Sequence, residues 1–389
     1  RAGVALVVIL LVALVIWRAS SGGEYVAPTP SAAPHLEPDT QGAISSLDTL
    51  VSRVRSGAQP TGSDAASVAE RNAHAVGVTG FTADYVTDAS DVAPDGTWSG
   101  DVDVTWQMRG EPRLTTDVKV DFGAHGQITG FEAGDGRLPL WLSAPVTVQR
   151  TATTTVIVQG DAQLASRYTG LAERAVAGVR KVVAWPHANL ILEVPSGGLD
   201  AALGAKAGTY KEVAGVTSTI DGSTNPKMPV HIWINPGLIG DLNSPGAQVV
   251  LTHEATHYAT GAATNTKRPL WLSEGFADYV ALHDTTMPLS KTAGQILAQV
   301  RKSGAPKSLP SKADFNQQAD TFGTEYESAW MACRMLGTGA AGERNLIAVY
   351  DDTGRGVSLD ASLRKHFGFG EAELTSRWRT YLTDNAKTR

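Results

Sequence analysis

The chain has 389 residues, 42% of them hydrophobic and 19% charged, with 40 Gly and 19 Pro, enough for about two folded domains plus tethers. With 33 Lys+Arg against 39 Asp+Glu the formal net charge is -6, and like charges do not cluster, which excludes nucleic acid as a partner. The single cysteine, Cys333, excludes an intramolecular disulfide framework, a Cys-rich zinc ribbon and a CxxC redox pair, so a metal would have to sit on His and carboxylate.

Ala2 to Trp17 (AGVALVVILLVALVIW) is apolar without interruption between Arg1 and Arg18. As a helix it spans roughly 24 Å against a hydrocarbon core of ~30 Å, a gap that arginine snorkelling closes. Trp17-Arg18-Ala19 is a poor signal-cleavage site, so residues 1–19 are expected to be an uncleaved transmembrane helix. The expectation is a single-pass cell-membrane protein with its N-terminus in the cytoplasm and the rest of the chain extracytoplasmic. Residues 20–39, rich in Ser, Gly, Ala and Pro, read as a linker too poor in large apolar side chains to order itself.

Residues 40–148 predict a small α+β domain. Ile44, Leu47, Leu50, Val51 and Val54 fall at helical spacing, and the stretch from Gly57 to Gly62 stops that helix. The period then becomes two: Phe81, Ala83 and Tyr85 alternate, then Val102, Val104 and Trp106, then Val118, Val120 and Phe122, predicting an antiparallel sheet of about four strands. The pattern loosely resembles nuclear transport factor two-like domains. His74 and His125 stand isolated, and Trp98, Trp106 and Trp141 read as core, so this domain is assigned no chemistry.

Residues 149–389 carry the chemistry. Strands are expected at Thr155 to Val158, Asn189 to Val194, Glu212 to Ile220 and Pro229 to Ile234, with a helix from about Asp161 to Val183, making a small mixed sheet. Next comes SPGAQVVLTHEATHYATG, Ser244 to Gly261, a helix that Asn243 or Ser244 can cap and that Pro245 suits in its first turn. His253 and His257 are four apart and share one helical face, able to hold one ion, with Glu254 beside them. This HExxH reads as two zinc ligands and a base; with nine histidines in 389 residues, chance supplies the pattern at roughly the one-percent level. A catalytic zinc needs three protein ligands and an open position. Downstream lies LWLSEGFADYV, Leu270 to Val280, where Ser273 is expected to cap a new helix that Glu274 opens.

HExxH followed by WLSEGFADY resembles the gluzincins, the metallopeptidase group that includes the aminopeptidase N family and thermolysin. The resemblance implies a zincin-like metallopeptidase domain with Zn2+ as cofactor and Glu274 as third ligand beside His253 and His257. It also implies that Asp278 fixes a ligand histidine from behind. Tyr326 to Leu336 (YESAWMACRML) is similar to the aminopeptidase N segment whose tyrosine meets the developing oxyanion, which implies that role for Tyr326; Cys333 reads as inert core. One departure concerns specificity. Aminopeptidases of that family carry a Gly-x-Met-Glu-Asn segment whose glutamate grips the substrate amine, whereas the corresponding region here reads PKMPVHIWINP. An extended peptide adding as a strand along Val230 to Ile234 is therefore expected, favouring endoproteolysis. His231, within that strand, reads as an exposed histidine able to touch substrate.

The expectation is a membrane-anchored zinc peptidase, an endopeptidase acting on peptides or proteins outside the cytoplasm, with Glu254 and Tyr326 catalytic. The alternative is a non-catalytic sensory or scaffold protein whose residues 40–148 bind a partner. Glu254, which is not a ligand, favours catalysis, because a structural zinc site has no use for it.

Overall fold

Residues 36–57, 60–315 and 322–387 are described in the computed structural model. The expected anchor over residues 1–19, and the linker as far as residue 35, lie outside them. Among the described residues no helix is long and apolar enough to cross a membrane.

The Asp39 side chain accepts the Gly42 amide at 3.0 Å and so starts α1 (Thr40–Ser56), which Gly57 ends with φ 75°. Glycine takes that left-handed angle without steric cost. A second helix, α2 (Ala65–Val76), follows, started by Asp64 accepting from the Ser67 amide. The sequence pattern does not announce α2, because its buried face includes Ser67, Glu70 and Asn72. Asn72 uses its amide to bind the carbonyls of Trp141 and Ala144 at 2.8 and 2.7 Å, which makes its burial tolerable.

Both helices accompany a four-stranded antiparallel meander, β1 (Thr79–Asp88), β2 (Trp98–Gln107), β3 (Leu114–Phe122) and β4 (Ile128–Ala133), in the order β1-β2-β3-β4. Alternation along β2 buries Trp98, Val102, Val104 and Trp106. Trp98, Trp106 and Trp141 are all core, with Trp141 meeting Phe81 and Trp106 edge-on.

The second sheet is mixed, in the order β5-β6-β7-β9-β8. It comprises β5 (Thr147–Arg150), β6 (Thr154–Val158), β7 (Leu190–Val194), β8 (Gly215–Thr219) and β9 (Val230–Ile234). β6, β7 and β9 run parallel, and β5 and β8 are antiparallel edges. On one face Val156, Val158, Leu190, Leu192, Ile232 and Ile234 pack under α3 (Ala162–Val179). On the other face Ile157 and Ile191 join the core of the first sheet. Burial on both faces accounts for the adjacent apolar residues Val156 to Val158 of β6 and Leu190 to Leu192 of β7, with Thr154 and Glu193 as buried polar exceptions.

The remaining chain is helical: α4 (Ser244–Thr260), α5 (Leu270–Ala281), α6 (Gly294–Ser303), α7 (Phe322–Leu336), α8 (Gly339–Gly354), α9 (Leu359–Phe367) and α10 (Glu371–Lys387). These helices share the core that covers the α3 face of the second sheet. β9 lies between β7 and β8, so both its edges are paired and no peptide can add along Val230 to Ile234, contrary to expectation. The edge available on that side is β8.

Candidate metal centre

α4 begins where Asn243 accepts the Gly246 amide at 2.9 Å, with Pro245 in its first turn, and ends at Gly261 with φ 63°. Its last turns bury Leu251, His253, Glu254, Ala255 and His257. Titratable groups on so apolar a helix are costly to bury unless they are paired or coordinated. The i,i+4 spacing stacks the two imidazoles on one face, with their Nε2 atoms 3.0 Å apart.

α5 supplies the third member, although its start differs from the expectation. The helix begins at Leu270 with Pro269 as cap, and the Leu272 and Ser273 amides bond to the Pro269 carbonyl. Ser273 is therefore a buried residue within the helix and not its cap. Glu274 consequently sits in the helix body and projects towards α4. Its Oε2 lies 3.2 Å from Nε2 of His253 and 3.2 Å from Nε2 of His257. One turn on, Asp278 Oδ1 accepts from Nδ1 of His253 at 2.7 Å. That bond fixes a proton on Nδ1 and directs Nε2 at the cluster.

The electrostatics follow from these contacts. Burial drives the His253 imidazolium down, but Asp278, Glu274 and Glu254 outweigh it and hold the ring well above the usual histidine range. Burial pushes the Glu274 carboxyl up, and His257 with His253 outweighs that and draws it far below the usual carboxylate range.

Two close contacts fix the surrounding elements. A Cβ at Gly275 would lie 2.3 Å from the Ala329 carbonyl oxygen, so only glycine lets α5 pack this closely on α7. That approach brings Tyr326, near the start of α7, to a ring-centroid distance of 5.9 Å from His253. Burial raises the Tyr326 phenol well above its ordinary range, and the charges of Glu274, Asp278 and Glu254 raise it further. Cys333, lower on α7, is fully buried and its thiol is pushed up by that burial. The second contact is made by β8. A Cβ at Gly215 would lie 3.0 Å from Glu254 Cγ, and the Thr217 hydroxyl donates to Glu254 Oε2 at 2.6 Å.

His253, Glu254, Asp278 and Tyr326 line one cleft of about 260 Å³ together with Val213, Gly215 and Val250. Larger hollows, of about 930 and 400 Å³, are lined by α6 and α10 and by the Tyr279 to Trp330 region, and neither includes a member of the three-residue cluster. Among the described residues, His253, His257 and Glu274 are the one group of three such side chains whose donor atoms converge. Their separations of 3.0, 3.2 and 3.2 Å can be set against a tetrahedral ion with bonds of 2.0–2.1 Å, which spaces its ligands about 3.3–3.4 Å apart. The donor set and its spacing fit zinc.

His231 is not at this cleft. It is fully buried, on the face of β9 opposite Ile232 and Ile234. There its Nε2 meets Glu111 Oε1 at 2.8 Å and its Nδ1 meets Glu193. Burial lowers the His231 imidazolium and the two carboxylates outweigh it, raising it to about 10. Neither this triad nor the Thr217 contact carries a sequence signal beyond the residues themselves, since Glu111 and His231 lie 120 positions apart and Thr217 and Glu254 lie 37 apart.

No family model matches this chain, and no curated protein matches it. Among solved structures it is similar to an M1 zinc metallopeptidase from Deinococcus radiodurans, with 16% identity and a TM-score of 0.36 over 78% of this chain and 63% of that one. A substituted form of an M1 zinc metallopeptidase from the same organism, bound to a Tyr-Ser-Ala substrate, gives 15% and 0.35 over 78% and 63%. A two-domain M1 zinc metallopeptidase variant bound to L-arginine gives 15% and 0.35 over 79% and 61%. This chain therefore spans less than two thirds of the length of each of these structures.

Proposed function

We propose that the chain is a zinc-dependent peptidase with a zincin-like catalytic region, in which His253, His257 and Glu274 hold the metal. The observation that carries this reading is the triangle of donor atoms, 3.0 to 3.2 Å on a side, with a carboxylate that is not part of it, Glu254, lining the same cleft. The three residues of that triangle would hold zinc, which when bound would supply Lewis acidity for the scissile carbonyl and for a water that must give up a proton to attack. Glu254 takes the proton of the attacking water and delivers it to the leaving amine. Tyr326 donates its hydroxyl to the carbonyl oxygen as that oxygen gains negative charge. Asp278 keeps the His253 ring in the tautomer that leaves Nε2 free.

The substrate is read as an extended peptide lying along β8, the sheet edge beside Glu254. Internal cleavage is favoured because β8 itself, Gly-Val-Thr-Ser-Thr, carries no carboxylate to hold a free amine. Exposed Glu212 also lines the cleft, and it supports a second reading in which the amino end is held there and single residues are released. The apolar run from Ala2 to Trp17 supports membrane anchoring and action outside the cytoplasm.

Incubating the zinc-loaded full chain and its Glu254→Gln form with a peptide library, then sequencing the products, tests the reading. Internal fragments from the parent alone support an endopeptidase, and removal of single N-terminal residues supports the Glu212 reading. Intact peptides throughout would leave the scaffold alternative standing.

A further inference from the structure

We propose that Thr217 is the positioning residue for Glu254, so that the edge strand of the second sheet, and not the zinc helix alone, sets the orientation of the base. The inference rests on the reading of Glu254 as the group that moves the proton.

Thr217 and Gly215 are two apart on β8, opposite Ile232 and Ile234 of β9, and so share the sheet face turned towards α4. They grip Glu254 at two heights. The bare backbone at Gly215 packs against the side-chain methylenes, where an added Cβ would come within 3.0 Å of Cγ. The Thr217 hydroxyl holds the head, with Oγ1 2.6 Å from Oε2 and 3.0 Å from the Glu254 carbonyl oxygen. A hydroxyl donates one proton, and the carboxylate is the stronger acceptor, so the short bond goes to Oε2.

Glu254 is only 8% exposed, so little solvent competes for this bond. Threonine, branched at Cβ, holds its hydroxyl in few rotamers, which makes it a stiff anchor. Tying down Oε2 leaves Oε1 as the oxygen that meets a proton. Without the tie, the carboxylate is free to turn about its last bond, and proton transfer loses the alignment it depends on.

The test measures kcat and KM on fluorescently labelled casein for the zinc-loaded full chain and its Thr217→Val, Thr217→Ser and Glu254→Gln forms, together with zinc content and Tm. Valine keeps the shape and removes the hydroxyl, so kcat should fall about ten- to a hundredfold, as expected for a lost bond to a charged group. KM should stay within about twofold, with zinc and Tm unmoved. Serine keeps the hydroxyl and loses the methyl, and should return kcat to within about threefold of the parent. A space-filling role for Thr217 makes the reverse ranking, with valine tolerated and serine impaired. That ranking, or valine and serine equally active, overturns the proposal. If Thr217→Val fails to fold or loses zinc, Thr217→Ala is measured in its place: a loss of kcat of about ten- to a hundredfold that Thr217→Ser lacks supports the anchor, and near-parental kcat in Thr217→Ala removes it. No casein turnover by the parent chain would defeat the peptidase reading and the Thr217 role with it. Turnover by the parent that persists in Thr217→Val defeats the Thr217 role alone.

Discussion

Glu274 and Asp278 stand one turn apart on α5 and meet the same imidazole from opposite ends, Glu274 Oε2 3.2 Å from Nε2 of His253 and Asp278 Oδ1 2.7 Å from its Nδ1. One helix thus supplies both a candidate ligand and the group that orients its neighbour, so the two should separate cleanly by mutation. The zinc-loaded full chain is expected to hold close to one zinc, and Ala at His253, His257 or Glu274 to abolish it. Asp278→Ala should weaken zinc binding about ten- to a hundredfold without abolishing it. Glu254→Gln should keep the metal. Zinc content after dialysis against graded chelator measures all five variants, and full occupancy in the three ligand variants would remove the site.

Tyr326 is expected to act only as charge develops on the carbonyl oxygen. Tyr326→Phe keeps the ring contacts with His253 and Phe315 and should cost about 2.7–4 kcal/mol of transition-state stabilisation, roughly a hundred- to a thousandfold in kcat. KM, zinc content and Tm should barely move. Near-parental kcat in Tyr326→Phe would mean that the tyrosine is packing alone.

Gly275 is expected to tolerate nothing larger. In Gly275→Ala the new methyl would sit 2.3 Å from the Ala329 carbonyl oxygen, and that atom belongs to a helix backbone that cannot rotate away. The helices must part, at a cost of about 1–3 kcal/mol or more. Denaturant unfolding should show the loss, and zinc affinity should fall with it, because parting α5 from its neighbours displaces Glu274.

The buried triad predicts a loss of stability in alkali. His231 is held charged, with its folded value raised to about 10 from an ordinary 6.5. A raised value stabilises the folded state fully below the unfolded value, and the contribution disappears as pH climbs through the folded one. Stability measured from pH 6 to 10.5 should therefore decline across roughly pH 6.5 to 10. His231→Gln, which strands Glu111 and Glu193 without their cation, should cost about 3–5 kcal/mol at neutral pH and flatten that decline. An unchanged pH profile in His231→Gln would show that the triad is not its source.

The histidine pair of the cluster was legible because it is local. HExxH places its histidines by the period of a single helix, whereas Glu274 and Asp278, on a second helix, were expected only through the resemblance of SEGFADY to the gluzincin segment. The edge strand β8 was harder. β8 was expected, but nothing in Gly215 to Thr219 shows that it runs beside α4, since that neighbourhood is created by the β8–β9 pairing. His231 was misjudged for a related reason. In Val-His-Ile-Trp-Ile the strand period sets His231 on the face of Trp233, which looked like the wet face until Glu111, from the turn between β2 and β3, closed over it. α2 went unseen because polar Ser67, Glu70 and Asn72 occupy its buried side, and Ser273 was mistaken for a cap because Pro269 starts the helix with no capping side chain.

The two faces of β6 and β7 have a consequence for anyone who dissects the chain. Ile157 and Ile191 point away from α4 and α5 into the core built on Phe81, Trp106 and Trp141. The sheet that backs the candidate metal centre is therefore also the floor of the preceding sheet. A fragment starting at residue 149 would keep every candidate ligand while exposing that floor to water and depriving His231 of Glu111. It should collect in inclusion bodies or bind hydrophobic dyes, so the shortest piece that folds is longer than the shortest piece that contains the site.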